Sequence, residues 1–524
     1  MAADIVLATL NARYIHSALG LRYLQANLGA LQARSTLVEF TIDAAPLDVA
    51  QALLAHRPRI IGLGVYVWNT TQTLAVVRLL RALAPDVTLV LGGPEISHEP
   101  EDQPLFALAD HVIAGEGEVA FAELCARRLD QQGRAGEVPP KRIAGGLPDL
   151  STLNLPYDLY TDADIADRVL YVEASRGCPF RCAFCLSALD AQVRPFPLED
   201  FLQAMQRLLA RGARRFKFVD RTFNLSPRVS GTILDFFLGH IRSPDDPKAL
   251  FLHFEMVPGR FSEALRMRLA AFAPGAVQLE VGIQTLQPSV AARIDRRQDT
   301  EAALANLRAL ATDTGAHLHA DLIVGLPGED LTGFGLGFDR LHATGVDEIQ
   351  VGILKRLRGA PIARHIDRWQ LLFSPLPPYE LLRSADLSAD DLARMRRFAR
   401  YWDVFGNSGR FTATLPWILG EGSAFGAFLS FSDWLHTQVG QTHALSLQRC
   451  VHALFTYLVD VKGQPPREVA EALAQDYRRV SRKSQLPAVL RGHVDMGARS
   501  GDSQAPADAD FGYIPDRQRR RQRS

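Results

Sequence analysis

Three cysteines fall within eight residues, in the run Arg176-Gly177-Cys178-Pro179-Phe180-Arg181-Cys182-Ala183-Phe184-Cys185. The spacing C-x-x-x-C-x-x-C offers three thiolates from one loop, and thiolates are the ligands that iron–sulfur clusters need. A four-iron cluster with three protein ligands keeps one iron open to a substrate. Structural zinc, the other reading of such a set, takes four nitrogen or sulfur ligands in a closed tetrahedron, and no fourth Cys or His stands nearby in the sequence. Cys125 and Cys450 stand alone, and an odd, clustered set of five in a long chain is a poor disulfide framework. Cys125, in the helical pattern AFAELCARRL, reads as a small buried hydrophobe.

Such a loop needs a rigid frame. Six strand candidates, RVLYVEAS, RRFKFVD, ALFLHFEMV, AVQLEVGIQ, AHLHADLIVG and DEIQVGIL, alternate with helical stretches over residues 166–360. That pattern predicts a partial β/α barrel with its site at the carboxyl ends of the strands. The cysteine run directly follows the first of them. Polar groups close several others: Asp220 in Phe218-Val-Asp220, Glu280, Gly282 and Gln284 in the fourth, and Gly325-Leu-Pro327-Gly-Glu329 after the fifth. On the third strand His253 and Glu255 alternate, which sets both on one side of a sheet.

The cysteine spacing, with an aromatic residue before the third cysteine, resembles the radical SAM superfamily, and the order of the strand-end segments strengthens the resemblance over residues 168–355. It implies Cys178, Cys182 and Cys185 as ligands of a [4Fe-4S] cluster that cleaves S-adenosyl-L-methionine (SAM) to a 5′-deoxyadenosyl radical. It implies Phe184 against the adenine, Asp220 and Glu255 as strand-end polar groups near the cofactor, Glu280, Gly282 and Gln284 in the segment that binds the ribose, and Gly325 and Pro327 in the turn near the adenine.

Residues 1–130 alternate strand and helix as well: DIVLATL, STLVEFTI, RIIGLGVYVW, VTLVLGG and DHVIAGEG are five strands of a parallel, Rossmann-like sheet. Ligands of such sheets bind beyond the carboxyl ends of the strands. The segments there carry Tyr14 and His16, Gly64 and Val65, Gly92-Gly93-Pro94-Glu95, and Gly115-Glu116-Gly117-Glu118. Glycines in these loops let a large ligand approach the backbone, and no G-x-G-x-x-G cradles a dinucleotide. Placed ahead of the barrel, these loops resemble the cobalamin-binding domain of cobalamin-dependent radical SAM proteins. The resemblance implies all of them as cobalamin contacts. Many such domains carry D-x-H-x-x-G after the first strand; here the loop is Tyr14-Ile15-His16-Ser17-Ala18-Leu19-Gly20, without the Asp and with the glycine one residue late. The carboxylate that orients a ligating His is missing, so cobalt is expected to have no protein ligand below, with His16 or Tyr14 packing near the corrin.

The fold class expected is therefore α/β: a Rossmann-like cobalamin-binding domain (1–130), a Gly/Pro-rich linker (131–165), a partial (β/α)6 barrel (166–360), a mainly helical extension (361–492) and a disordered polar, basic tail (493–524). The extension resembles one of unknown function on a methyltransferase-like branch of these proteins. Its aromatic Tyr401-Trp402 to Phe411 segment reads as core or as a lid over the barrel mouth. Lys355-Arg356-Leu357-Arg358-Gly359 offers cations to an anionic substrate or to the SAM carboxylate. The resemblance implies methyl transfer from methylcobalamin to a substrate carbon; the alternatives are rearrangement, cyclisation or oxidation with the same cofactors, or a cobalamin-responsive binding protein. The implied partners are a small-molecule or peptide substrate and a flavodoxin- or ferredoxin-like electron donor.

Charge is balanced, 58 Lys and Arg against 58 Asp and Glu, which gives no basic footprint for nucleic acid or for an anionic membrane. The run Arg517 to Arg523 reads as a solvated tail. The start has no basic segment leading into an apolar one, and no apolar run reaches the roughly 18 residues of a spanning helix, so a cytoplasmic protein is expected.

The cysteine assignment has a direct test. Each of Cys178→Ala, Cys182→Ala and Cys185→Ala is expected to abolish iron and sulfide loading in anaerobic reconstitution, while Cys125→Ala loads as the parent does.

Overall fold

Ile5–Asn11 (β1) is apolar along most of its length and buried at every position, as suits a strand covered on both faces. The structure is a computed structural model that describes residues 2–130, 139–241, 250–481 and 485–494. Around β1 assemble Ser35–Thr41 (β2), Ile60–Gly64 (β3), Thr88–Gly92 (β4), His111–Gly115 (β5) and Arg142–Gly146 (β6), in the order β2-β1-β3-β4-β5-β6 and all parallel. Separate apolar cores cover its two faces. The sixth strand lies inside the stretch read as a linker. It is an edge strand with alternating half-exposed positions and two glycines, so neither periodicity nor apolar content announces it. Residues 131–138, and the tail from residue 495 with its arginine run, lie outside the described residues.

The second sheet holds Leu170–Val172 (β7), Arg215–Phe218 (β8), Phe251–Met256 (β9), Val277–Gln284 (β10), His317–Val324 (β11) and Glu348–Ile353 (β12), all parallel and neighbouring in chain order. This is the partial barrel. Phe216, Phe218, Leu252, Phe254, Leu279 and Val281 bury one side of the pleat in the core shared with the outer helices. The alternate positions present a charged row in register: Lys217 beside His253, Glu255 beside Glu280, Glu280 beside His319, and His319 beside Glu348.

The barrel and the helical region share one core. Phe338 of helix Leu331–His342 meets Phe398 and Trp402 of helix Ala389–Phe405, with ring centroids 5.4 and 4.9 Å apart, and these meet Phe428 of helix Ala424–Val439. The aromatic segment is thus core. Asn407 covers the free edge of β12: its side chain accepts from Ile349 N and donates to Ile349 O, both at 3.0 Å, in place of a neighbouring strand. Among the described residues no helix is long and apolar enough to cross a membrane.

A buried ionic box ties the first sheet to the approach of β7. Glu39 accepts from Arg22 at 2.8 Å and Arg168 at 2.7 Å, and also from Asn11 Nδ2 and Ala18 N; Asp164 faces the same two guanidiniums. All four side chains are under a tenth exposed. Removing the central charge leaves two buried cations to share the single carboxylate of Asp164. Glu39→Gln is therefore expected to cost about 3–5 kcal/mol of stability, read as a lowered midpoint in denaturant unfolding.

Candidate functional site

A cavity of about 600 Å³ opens at the carboxyl ends of β1, β3, β4 and β5. Its floor is bare backbone at Gly62, Gly64, Gly92, Gly93, Gly115 and Gly117, which suits a broad planar ligand. The opposite wall comes from the barrel: Tyr171 of β7, then Glu173, Arg176 and Val219. His16 lines the cavity, and its Nδ1 lies 2.8 Å from the Tyr171 hydroxyl. Its backbone bridges to Val169, so this loop is stitched to the strand that precedes the cysteines.

Arg176 organises the wall. Its guanidinium sits 2.9 Å from Glu116, 2.8 Å from Glu118 and 2.8 Å from Glu173, over the ring of Tyr23. Burial alone would discourage that charge, but the carboxylates of Glu173 and Glu118 hold it firmly protonated. Glu116 also accepts from Arg194, which reaches Asp190, and the Asp190 carbonyl accepts Cys178 N at 3.0 Å. One oxygen of Glu118, Oε2, is buried with no hydrogen-bond partner among the described residues. It can accept from an amide at the edge of a ligand, so both floor and wall fit a corrin.

The cysteine loop starts from a two-residue ribbon, Ser175–Arg176 against Arg194–Pro195. Gly177 turns the chain there at φ +91°, and a Cβ on it would lie 2.0 Å from Gln192 O, so only glycine fits. Asp220, fully buried, braces the entry by accepting from Ala174 N (2.9 Å) and Ser175 Oγ (2.6 Å). Burial pushes its carboxyl up to about 7 against the pull of those hydrogen bonds. Burial also raises the Cys178 and Cys182 thiols. The neighbouring thiols add to the rise, while Arg221 at Cys178 and Arg296 at Cys182 oppose it. Three mutually interacting thiols on one loop fit a cluster with three protein ligands. Among the described residues no three such groups close around a single ion. Cys125 and Cys450 are buried, with thiols raised to about 12 by that burial.

Arg296 links the loop to β10: it donates to Cys182 Sγ at 3.6 Å and to Gly282 O. Gln284 ends that strand at φ +70°, beyond a register shift at Gly282. Gly325 turns at φ +90° and Pro327 O accepts from Arg293. Phe184 is half-buried against the barrel core. Inside the barrel a neutral His253, its imidazole depressed to about 4 by burial and by Lys217, donates from Nε2 to Glu280 at 2.9 Å. Burial would raise the Glu280 carboxyl, but His253 and Lys217 hold it well below the usual range. Glu255 pairs with Arg221 at 3.1 Å. Burial would lower His319, yet Asp321 at 3.2 Å, with Glu280 and Glu348, holds it at about 9.

Tyr14, Val65, Pro94 and Glu95 stand outside the cavity lining. Tyr14 lies under Arg168 on the surface. Val65 is used by its backbone, which accepts Glu95 N and donates to Gly92 O. Glu95 turns the other way, toward a strap formed by residues 355–387. It accepts from Tyr379 OH (2.5 Å) and Arg358 Nε (3.2 Å), while Glu99 takes Arg356 at 2.9 Å. The cations Arg356 and Arg358 therefore join domains. The same strap presses Leu381 where a Cβ of Gly325 would stand and sets Asp386 on Gly328 N. Sequence reasoning missed Tyr171, Glu173 and Val219 as cavity wall. Period-2 alternation in VLYVEAS carried that signal for Tyr171 and Glu173, since both fall on one side of the strand.

Residues 5–125 match the family model of the B12 binding domain, residues 172–334 that of the Radical SAM superfamily, and residues 367–510 a protein family of unknown function, DUF4080. The chain is 28% identical over 341 residues to 2-(S-pantetheinyl)-carbapenam-3-carboxylate methyltransferase of Streptantibioticus cattleyicolor, covering 58% of this chain and 48% of that protein. It is 28% identical over 338 residues, with the same shares, to the cobalamin-dependent radical SAM methyltransferase TokK of Streptomyces tokunonensis. The chain thus spans about half the length of these curated relatives. It shares its fold with the radical SAM methyltransferase TsrM of Kitasatospora setae (TM-score 0.56, 19% identity, 70% of this chain and 76% of that one). It also shares it with the cobalamin-dependent SAM radical enzyme OxsB (TM-score 0.57, 14% identity, 91% and 80%).

The charged row makes stability depend on pH in a defined direction. His319 is raised from 6.5 to about 9, so its contribution is complete below about 6.5 and lost as the pH climbs to about 9. The stability gap between the parent and His319→Gln is expected to shrink across that window, read from urea midpoints at a series of pH values.

Proposed function

We propose that this chain, which joins a B12-binding domain to a radical SAM domain, is a cobalamin-dependent radical SAM enzyme that transfers a methyl group to a carbon of a small-molecule substrate. The observation that carries this reading is the shared cavity. Its floor is the glycine-lined end of the first sheet, its wall is the barrel, and Arg176 in that wall stands two residues before Cys178. The two relatives, both named as methyltransferases, support the methyl-transfer part.

When bound, a [4Fe-4S] cluster with SAM supplies a carbon-centred radical, and cobalamin supplies a transferable methyl group. The chain's own residues supply position, charge and dryness. Cys178, Cys182 and Cys185 would hold the cluster, and the guanidinium of Arg296 sets positive charge beside the Cys182 sulfur. Gly282, Gln284 and the Gly325–Pro327 turn would frame SAM, with Phe184 toward the adenine. The glycine floor would take one face of the corrin, and Glu118 Oε2 would accept one of its edge amides. His16, held by Tyr171, would stand at the margin of the ring. Arg176, saturated by Glu116, Glu118 and Glu173, keeps the domain boundary closed to water beside the reacting centre.

The test needs no knowledge of the substrate. Anaerobically reconstituted protein holding cobalamin is reduced and given SAM labelled at its methyl group. The label is expected to enter the bound corrin, and 5′-deoxyadenosine to form. Formation of 5′-deoxyadenosine while the corrin never acquires label would overturn methyl transfer and leave only radical generation.

A further inference from the structure

The strap of residues 355–387 touches the surroundings of both candidate cofactor sites. On one side it meets the loop that carries the cavity floor. Gly93 turns there at φ +107°, where a Cβ would stand 2.5 Å from Val65 O, so the chain has little freedom at this point. Ser97 Oγ donates to Gly93 O at 2.8 Å and accepts from Gly115 N at 3.2 Å, which binds two floor loops together. Glu95, between Gly93 and Ser97, is buried and gives its carboxylate to Tyr379 of the strap.

Two residues after Tyr379 the strap reaches the other site. Leu381 N donates to Leu354 O at 2.8 Å and Leu354 N to Val324 O at 2.9 Å, so backbone bonds run from the strap to the end of β11. Beyond that end lies the Gly325–Gly328 turn, and the strap encloses it. Leu381 fills the place of a Gly325 Cβ, Asp386 accepts from Gly328 N at 3.1 Å, and the Trp369 ring stands 2.9 Å from where a Gly328 Cβ would be. Arg293 donates to Pro327 O and lies over that ring at 4.3 Å. Of these four side chains only Arg293 precedes the strap. Ala385 N donates to Trp369 O at 2.9 Å, which ties the two runs of the strap to each other.

We propose that Tyr379 is a positioning residue that couples the two cofactor sites, so that cobalamin on the glycine floor and SAM at the Gly325–Gly328 turn each tighten the binding of the other. The proposal rests on the cofactor placement given above. A ligand on the floor fixes the Gly92–Ser97 loop, and Glu95 with it. The Tyr379 hydroxyl, 2.5 Å from that buried carboxylate, carries the restraint to Leu381 and Asp386. The turn is then ordered before SAM arrives, and binding costs less conformational freedom. Linkage makes the effect mutual and equal in size. Arg356 and Arg358 hold the start of the strap to the same loop, whereas Tyr379 adjoins the run that holds the turn.

The test uses the full-length, anaerobically reconstituted protein, hydroxocobalamin and radiolabelled SAM. Equilibrium dialysis gives the affinity for each ligand with and without the other. In the parent, cobalamin is expected to tighten SAM at least about fivefold, and SAM to tighten cobalamin by the same factor. In Tyr379→Phe, which keeps the ring and removes only the hydroxyl, both factors are expected to fall below about twofold, while each ligand alone binds as in the parent. Hydrogen exchange at Gly328 N, the amide held by Asp386, is a second readout that needs no SAM. Cobalamin is expected to slow it in the parent and to leave it unchanged in Tyr379→Phe. Arg207→Gln, which breaks an exposed pair with Asp158, should couple as the parent does. Equal SAM affinity with and without cobalamin in the parent, unchanged Gly328 exchange on adding cobalamin, full coupling retained in Tyr379→Phe, or a weakening of each ligand alone in that variant would each overturn the proposal. A parent that binds no SAM would instead overturn the radical SAM reading, and Gly328 exchange would still decide the coupling.

Discussion

One guanidinium, that of Arg176, carries the arrangement on which the rest depends. It is mostly removed from water and stands among Glu116, Glu118 and Glu173, two of which come from the loop and helix start that follow β5 of the first sheet. A buried cation of this kind is tolerable only with its partners in place, so the two sheets must meet at this point or leave charge stranded. Because Arg176 begins the cysteine loop, that requirement fixes the distance between the cavity and the thiols. The Arg22–Glu39–Arg168–Asp164 box repeats the device farther from the chemistry. The two sheets are not joined by apolar contact alone: the first has its own two cores, and of the residues around it Leu19 and Tyr23 enter the core that the barrel shares with the C-terminal helices.

Charge also decides the inside of the barrel. Its outer pleat is apolar and unremarkable as core, whereas its inner row sets Lys217 and His253 against Glu280 and places His319 on the next strand within reach of that charge. These groups hold alternate protonation states through their neighbours, a neutral His253 against a charged His319. A row so expensive to bury is not what packing would choose, and it marks the face where polar ligands belong.

Much of this was legible in the sequence. The cysteine spacing, the six barrel strands and the glycine-ended loops all follow from local patterns, and the loops at Gly64, Gly92–Gly93 and Gly115–Glu118 do line one cavity. Local pattern fails where the decisive partner is remote. Glu95 sits in the same short motif as Gly93, yet its carboxylate points to Tyr379, 284 residues later. Arg356 and Arg358 read as ligand cations and serve as ties to Glu95 and Glu99. Tyr171 was read as part of a strand; what makes it cavity wall is the bridge from His16 to Val169. The sixth strand, β6, lacks both apolar content and periodicity, since it is specified by the edge of β5 rather than by its own residues.

The strap of residues 355–387 has a consequence for how such chains can be assembled. It leaves the last barrel strand, clasps the Glu95–Glu99 loop of the first domain, then returns to rest Leu381 on Gly325 before the helices begin. The DUF4080 match starts at residue 367, in the middle of it. The unit recognisable by sequence is therefore not the unit that can be exchanged. A graft of another helical region onto this barrel at that boundary would split the strap and sever a clasp made by three parts of the chain. The junction that keeps these contacts whole lies beyond Asp386, where Ser388 caps the first long helix.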